Sequence, residues 1–476
     1  MRDVSPILEE VLPSLRPDVA EEERIMGLAK GLMKRLEEEA RRSGLGIEVS
    51  LEGSVAKGTW IKGEADLDIF LMFPKGIDRE TFRKTALEIG KEVLREHGPY
   101  ERYSEHPYVE AKVDGVIVDI VPCYQVELGN WLTSTDRTPY HTRYVIERLG
   151  EREKNEVRLL KKFLKANGLY GADAKVKGFS GMLCETLILK YGSFASLLKG
   201  AAAWGRAEVI DVEGYYSGRE EGARELFGEP LIVIDPVDRG RNLASALSEE
   251  NLWKFVALAR AFLEGPSRDF FFPREGSLGP RELEAELARR GSCLAVLAFG
   301  RADAVVDVVW SQLRKSEAAL RRALEREGFK VYRASAWTDE ESMSAIAFEL
   351  EAGELPPLKL HMGPPVFRRA DSERFLRKHR GAEDTVGEPW VRGDRWAVEK
   401  LRRLRRVEDA LEEFLKEGGE ALGIPERIAE AIRRGHSIAV NDRVSYLLEG
   451  SPKFGKFIAD FLSGWPRARG GLDLGR

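Results

Sequence analysis

The stretch that decides the fold is Gly53–Pro74, GSVAKGTWIKGEADLDIFLMFP. Asp66 and Asp68 stand one residue apart in a segment that reads as a strand running to about Phe73. Both carboxylates therefore leave one face of a sheet, where they can share hard cations. Gly53 and Ser54 follow a strand-like run, Ile47–Leu51, and form a small-residue turn. Such a turn offers backbone N–H groups and a hydroxyl to a triphosphate, without the GK[ST] ending of a P-loop. A third acid, Asp119, sits among apolar residues in the second strand of a hairpin whose turn is Asp114-Gly115. Buried carboxylates are costly, and two divalent ions about 3.5 to 4 Å apart would both neutralise them and align a phosphoryl displacement. A lone Asp-x-Asp in a strand is usually a solvent-facing edge, and a Gly-Ser turn is usually only a turn. Their combination with a distant third acid points to metal-dependent chemistry on phosphates.

Outward from this segment, residues 20–44 place Ile25, Leu28, Leu32 and Leu36 at helical spacing and stop at Gly44, and a further helix is predicted near Arg79–His97. From Glu151 to about Gly265 apolar stripes recur at helical spacing, interrupted by the strand-like Pro230–Pro236. Then SCLAVLAFG, a helix near Gln312–Glu327, FKVYRASAW and SAIAFELEAG give strand, helix, strand, strand, the order of a split α+β sheet. From about Phe367 the chain is Arg-rich and reads as mostly helical. The expected architecture is α/β and α+β multidomain: a catalytic head over 1–150, a helical nucleotide-binding middle over 151–266, an α+β body over 267–366 and a helical tail over 367–476.

A chain of 476 residues exceeds what one core organises. No apolar run reaches the roughly 18 residues of a spanning helix, and MRDVSPILEEVLPSL lacks a basic segment followed by an apolar one. The expectation is a cytoplasmic protein without membrane association. Cys123, Cys184 and Cys293 show no CxxC spacing, and six histidines are too sparse to complete a zinc set. Charged residues at 33% suit the ion-pair networks of heat-adapted proteins. A net charge of -5 argues against nucleic-acid adhesion over the whole surface, so basic patches must be local.

Longer stretches carry a more specific likeness: EHPYV from Glu105, VDIVPCY from Val118, DRTPYHTRY from Asp136, NEVRLLKKFLKANGLYGA from Asn155, VKGFSGMLCE from Val176 and IDPVDRGRN from Ile234. On these the chain resembles the polymerase-β-type nucleotidyltransferase superfamily and, within it, the archaeal (class I) CCA-adding enzymes. The resemblance implies a polymerase-β-like head and two-metal transfer with Mg2+. It also implies template-independent addition of CCA, from CTP and ATP, to a tRNA lacking all or part of its 3′ CCA. Asp66, Asp68 and Asp119 would hold the metals, and Asp119 would help position and activate the attacking 3′-hydroxyl. Gly53, Ser54, Lys57 and Lys161 would contact the triphosphate, with Thr138, His141, Tyr170 and Ala172 around the nucleotide. Arg241 would reach the incoming base or a neighbouring RNA phosphate, and Glu105 would lie near the growing end. Lys57 departs from the arginine common in relatives, keeping the charge and losing the planar fork. Read without the resemblance, Lys161 solvates a helix face, His141 is a loop histidine, and Arg241 beside Asp235 and Asp238 is equally an ion pair at a helix start.

Residues 367–406 hold thirteen Lys/Arg against seven Asp/Glu, with Trp390 and Trp396 among them. Arginines on phosphates and tryptophans on bases make this stretch, with Arg402 and Arg403, a candidate RNA surface. The alternative is a solvated helix with Leu401, Leu404 and Leu411 facing a core. The resemblance favours the acceptor and T-stem backbone of tRNA, read by shape, and adds a homodimer paired through the C-terminal half. Two rivals stand beside this reading: a poly(A) polymerase or oligoadenylate synthetase built on the same acids, and an RNA-binding protein with an inactive nucleotidyltransferase domain.

Overall fold

The head is a five-stranded sheet made of β1 (Glu48–Glu52), β2 (Asp66–Pro74), β3 (Tyr100–Tyr103), β4 (Pro107–Val113) and β5 (Val116–Gln125). Its order is β1-β2-β5-β4-β3, with β2 and β5 parallel and the other neighbours antiparallel. In this computed structural model, which describes residues 2–103, 107–273 and 277–463, the alternation along β2 sorts the two faces. Leu67, Ile69, Leu71 and Phe73 are fully buried, while Asp66 and Asp68 take the opposite side. The apolar face is covered by helices α1 (Val19–Ser43) and α3 (Arg79–Leu94); the short helix α2 (Gly53–Lys57) lies between them in the chain. Asp18 starts α1 by accepting from the Glu21 N–H at 2.9 Å, and Gly44 in the left-handed region ends it. Gly90 lets α3 settle on β4, because a Cβ there would come within 2.8 Å of Val109. The Asp114-Gly115 turn forms as read, with φ of 49° and 83°.

Behind the head follow α4 (Thr138–Arg148), α5 (Glu151–Ala166) and α6 (Gly181–Tyr191). Phe163, Phe179, Phe194, Phe255, Phe262, Phe270 and Phe271 fill one core, joined to α4 through Tyr144 and Val145. The strand-like Pro230–Pro236 holds β6 (Leu231–Asp235), and β7 (Asp238–Asn242) folds back on it. Arg241 therefore stands on a strand and not at a helix start.

The chain divides into two compact units, the second spanning Glu275–Ser463. In it β8 (Cys293–Gly300), helix α7 (Val306–Glu327), β9 (Val331–Thr338) and β10 (Met343–Leu350) follow the expected order. A second sheet is built from β11 (Leu358–Pro365), β12 (Thr385–Arg392) and β13 (Arg395–Leu401), in the order β11-β13-β12, with helix α8 (Arg369–His379) packed on it. The strand β14 (His436–Val440) then rejoins the first sheet beside β8. The stretch from Phe367 is thus not uniformly helical: β12 and β13 form a hairpin around Gly393-Asp394 that its charge content obscured. Leu404 and Leu411 are buried as expected, whereas Leu401 ends a strand and is 46% exposed.

Candidate active site

Strand register brings the acids together. Asp68 is the partner of Asp119 across the parallel β2–β5 pair, Glu52 is the partner of Asp68, and Glu110 is the partner of Asp119. Partners on adjacent strands share a face, so Glu52, Asp68, Asp119 and Glu110 form one row across four strands, with Asp66 two residues along β2. Glu52 and Glu110 were not singled out from the sequence. Glu110 could have been, since counting back from the two-residue turn sets it opposite Asp119.

Only the end of this row is neutralised. Arg102 donates to Glu110 through Nε at 3.0 Å and Nη2 at 3.3 Å, and the Tyr100 hydroxyl donates to it as well. Glu52 accepts from Ser50 Oγ at 2.6 Å, but its Oε2 is buried with no partner, and so is Oδ1 of Asp119. Among the described residues no Lys or Arg forms an ion pair with Asp66, Asp68 or Asp119. Burial pushes the Asp68 carboxyl up to about 6, with Asp66 adding to the rise, and pushes Asp119 up to about 8, with Asp68 and Glu110 adding. Orphaned oxygens on a hard, all-carboxylate face fit divalent cations. The carboxylates are aligned on this face without being closed into a cage; among the described residues no three His, Cys, Asp or Glu side chains converge on a single ion position. Asp68 lies against the turn: a Cβ on Gly53 would come 1.8 Å from its Oδ2. The Gly53-Ser54 turn is the start of α2, and Gly53 adopts φ 70°.

Two lysines gather at the end of α2. Lys57 and Lys161 are both buried, and both meet Glu185 of α6, which has no exposed surface. Lys57 Nζ donates to Glu185 Oε2 at 2.6 Å; Lys161 Nζ lies 3.5 Å from Oε1 and donates to Thr59 at 3.1 and 3.2 Å. Removing one partner of such a buried set typically costs about 3 to 5 kcal/mol. His141 is buried rather than in a loop, with Nε2 2.9 Å from both oxygens of Asp235. Arg241 donates to Asp235 at 2.8 Å with 42% of its side chain exposed, and Arg137 donates to Asp238 at 2.8 Å. Tyr170 points its hydroxyl toward Gly181 at the start of α6 and is packed under Lys165; Thr138 opens α4, half-buried, and Ala172 is exposed on the turn after Tyr170. Asp235 and Glu185, the two buried carboxylates that these side chains meet, lie in the stretches IDPVDRGRN and VKGFSGMLCE but were not singled out as site residues. Glu105 lies outside the described residues.

Three family models match along the chain: a nucleotidyltransferase domain over 33–149, the second domain of tRNA nucleotidyltransferase over 155–272 and the C-terminal domain of CCA-adding enzyme over 290–441. A CCA-adding enzyme of Methanothermobacter thermautotrophicus is 38% identical across 96% of this chain and 97% of its own. Those of Archaeoglobus fulgidus, 38% identical across 93% and 96%, and Methanopyrus kandleri, 37% identical across 96% and 98%, are similarly close. The chain belongs to the CCA-adding enzyme family. The carboxylate row lies within residues 33–149, the part that matches the nucleotidyltransferase domain.

The arginine-rich stretch of this family member is less free than its charge suggests. Arg402 donates to the carbonyl of Glu327 at the end of α7, and a Cβ on Gly328 would come within 2.8 Å of its guanidinium. Arg403 pairs with Glu413, Arg405 with Glu354 and Arg406 with Glu408 on the surface. Surface pairs of this kind contribute little and give way readily to a phosphate, so Arg403 remains available where Arg402 is committed. Trp390 is the partner of Ala397 and Trp396 the partner of Val391, which sets the two indoles on opposite faces of the sheet. Trp390 is 44% exposed, while Trp396 is half-buried.

The raised carboxyls fix the sign of a pH effect. Asp68 and Asp119 hold their protons to higher pH when folded than when unfolded, so the stability they contribute is present below their unfolded values and lost as pH rises through about 6 and then about 8. Without divalent ion, the thermal midpoint should fall between about pH 4 and pH 8 as these two groups titrate. Saturating divalent ion should flatten that fall, with proton release on binding between about pH 6 and 8. A metal-free midpoint that stays level or climbs across this range would remove the account of the row.

Proposed function

We propose that the chain completes tRNA 3′ ends by template-independent addition of CCA, taking CTP twice and ATP once and releasing pyrophosphate each time. The observation that carries the reading is the aspartate set on the sheet face opposite the core, without basic partners, in a chain that matches CCA-adding enzymes over nearly its full length.

In this reading Asp66 and Asp68 hold both ions, Mg2+ being the resident metal, and Asp119 shares them and orients the 3′-hydroxyl for attack on the α-phosphate. When bound, the ions neutralise the row and stabilise charge on the phosphate in transfer. Ser54 and the N–H groups opening α2 face the triphosphate beside Asp68, with Lys57 and Lys161 supplying positive charge from behind. Arg241, anchored by buried Asp235, extends an exposed guanidinium toward the base or an RNA phosphate, while His141 and Thr138 on α4 and Tyr170 and Ala172 complete the surroundings of the nucleotide. Glu105 would stand near the growing end. Choice between nucleotides follows from a pocket in which a wrong base leaves buried polar groups unpaired. The tRNA backbone would be met by the Arg-rich part of the second unit, with Arg403 and Trp390 exposed there and Arg402 and Trp396 in support; the domain roles follow as head over 1–150, middle over 151–266, body over 267–366 and tail over 367–476. No helix among the described residues is long and apolar enough to cross a membrane, and the three cysteines are free and buried, which supports a cytoplasmic site of action.

We also infer a homodimer. Around Glu399, one face of the second sheet carries Leu358, Leu360, Met362, Val386 and Leu401 in register, these five each between 39% and 46% exposed. A contiguous apolar face of this kind marks an interface, and an isologous contact buries the same patch on both copies. In sedimentation velocity the chain should run as a dimer and Leu360→Arg as a monomer; an unchanged dimer in that variant places pairing elsewhere.

The activity test uses transcripts ending before, within and after CCA, each with CTP, ATP or both. Addition should stop after the third nucleotide, and Asp66→Ala should abolish incorporation while tRNA affinity is nearly unchanged. Long adenylate tails, addition to any RNA, or an active Asp66→Ala protein would overturn the reading.

A further inference from the structure

Lys57 and Lys161 reach the same place from different parts of the first unit. Lys57 closes α2, three residues after Ser54, and Lys161 sits in α5, yet both ammonium groups converge on the single carboxylate of Glu185 in α6. Thr59 Oγ1 adds a third contact, donating to Glu185 Oε1 at 2.7 Å. A carboxylate serving packing alone would be matched by one cation, because surplus buried charge is unfavourable. Here two lysines share one anion, and burial holds the Lys161 ammonium below its ordinary value while Glu185 opposes that fall. The pair also reaches Asp68, whose carboxyl is held lower by Lys57 and Lys161 than burial alone would leave it. The cluster also touches the turn that opens α6: a Cβ on Gly181 would lie 3.3 Å from the Tyr170 hydroxyl and 4.0 Å from Lys161 Nζ. A polyanion arriving beside α2 would keep both ammonium groups charged, and Glu185 is the group that holds them together for it.

We propose that Glu185 is a positioning residue for the nucleoside triphosphate: it holds Lys57 and Lys161 as one preformed pair of cations, binding α2 to α5 and α6 so that both charges face the same phosphates. The inference rests on the nucleotidyltransferase reading above. Glu185 touches no substrate and acts through the two lysines. Because the phosphates are common to CTP and ATP, its effect is the same for both nucleotides, unlike that of a base-reading group such as Arg241.

The test compares wild-type protein with Glu185→Gln and Glu185→Asp, measuring KM and kcat for CMP and for AMP addition to tRNA, CTP binding by calorimetry without tRNA, and the thermal midpoint. Glu185→Gln should raise KM for both nucleotides by about tenfold and by a similar factor, weaken CTP binding to match, and change kcat less than about threefold. Glu185→Asp keeps the charge and withdraws it by one methylene, so KM should return most of the way and stay about threefold raised. If Glu185→Gln does not fold, Glu185→Asp decides alone. Wild-type KM in either folded variant, or a loss confined to kcat or to the thermal midpoint, would overturn the role. Wild-type protein that adds no CCA would instead sink the underlying reading, so the two failures are distinguishable.

Discussion

Carboxylates set side by side in an apolar sheet without cations of their own are the constraint on which the rest of this structure depends. Repulsion among Asp66, Asp68 and Asp119 and the loss of water around Asp119 both act against the fold. The sheet tolerates them because its other face is wholly buried, with Leu67, Ile69, Leu71 and Val118 locking the register that aligns the acids. A one-residue slip would carry those side chains out of the core, so the packing of α1 and α3 on the far side is what keeps the acids in line. Gly53 completes the arrangement by leaving room for the Asp68 carboxylate where any side chain would collide. The surrounding core holds the acids in line against that cost.

Positive charge is kept at a distance by an opposite device. Lys57, Lys161, Arg241 and His141 are each tied to a buried carboxylate, Glu185 or Asp235, carried by the middle segment. The head thus contributes acids and α2, while the middle segment contributes the anions that aim the cations. Lys57 of the head and Lys161 of the middle segment share the anchor Glu185, which ties the sheet to the helical segment.

How far this was legible in the sequence differs from element to element. Asp66 and Asp68 could be placed on one face because strand alternation is a local property, and Asp119 because the Asp114-Gly115 turn announces its hairpin. Glu110 was equally within reach of that turn and was passed over. Glu185 was not within reach: its contact with Lys57 joins residues 128 positions apart, and a glutamate in an apolar helix gives no hint of its partners. The nucleotide-binding roles proposed for Lys161 and His141 rest on likeness to a family, since neither residue's surroundings can be read locally. In the Arg-rich stretch, counting charge over forty residues hid a β-hairpin whose Gly393-Asp394 turn and flanking Trp, Val and Ala were visible. The count also missed Glu354, Glu408 and Glu413, acids from outside the stretch that pair with its arginines, and the main-chain carbonyl of Glu327 that accepts from Arg402.

The proposed purpose of the aspartate row is to hold two divalent ions beside a nucleotide. Electron paramagnetic resonance of added Mn2+ in the presence of CTP tests it most directly, because free and bound ion are counted without turnover. The account requires two ions bound per chain, with both lost when Asp68 becomes asparagine in protein that remains folded. Two ions still bound tightly after Asp66, Asp68 and Asp119 have all been changed to asparagine would contradict it.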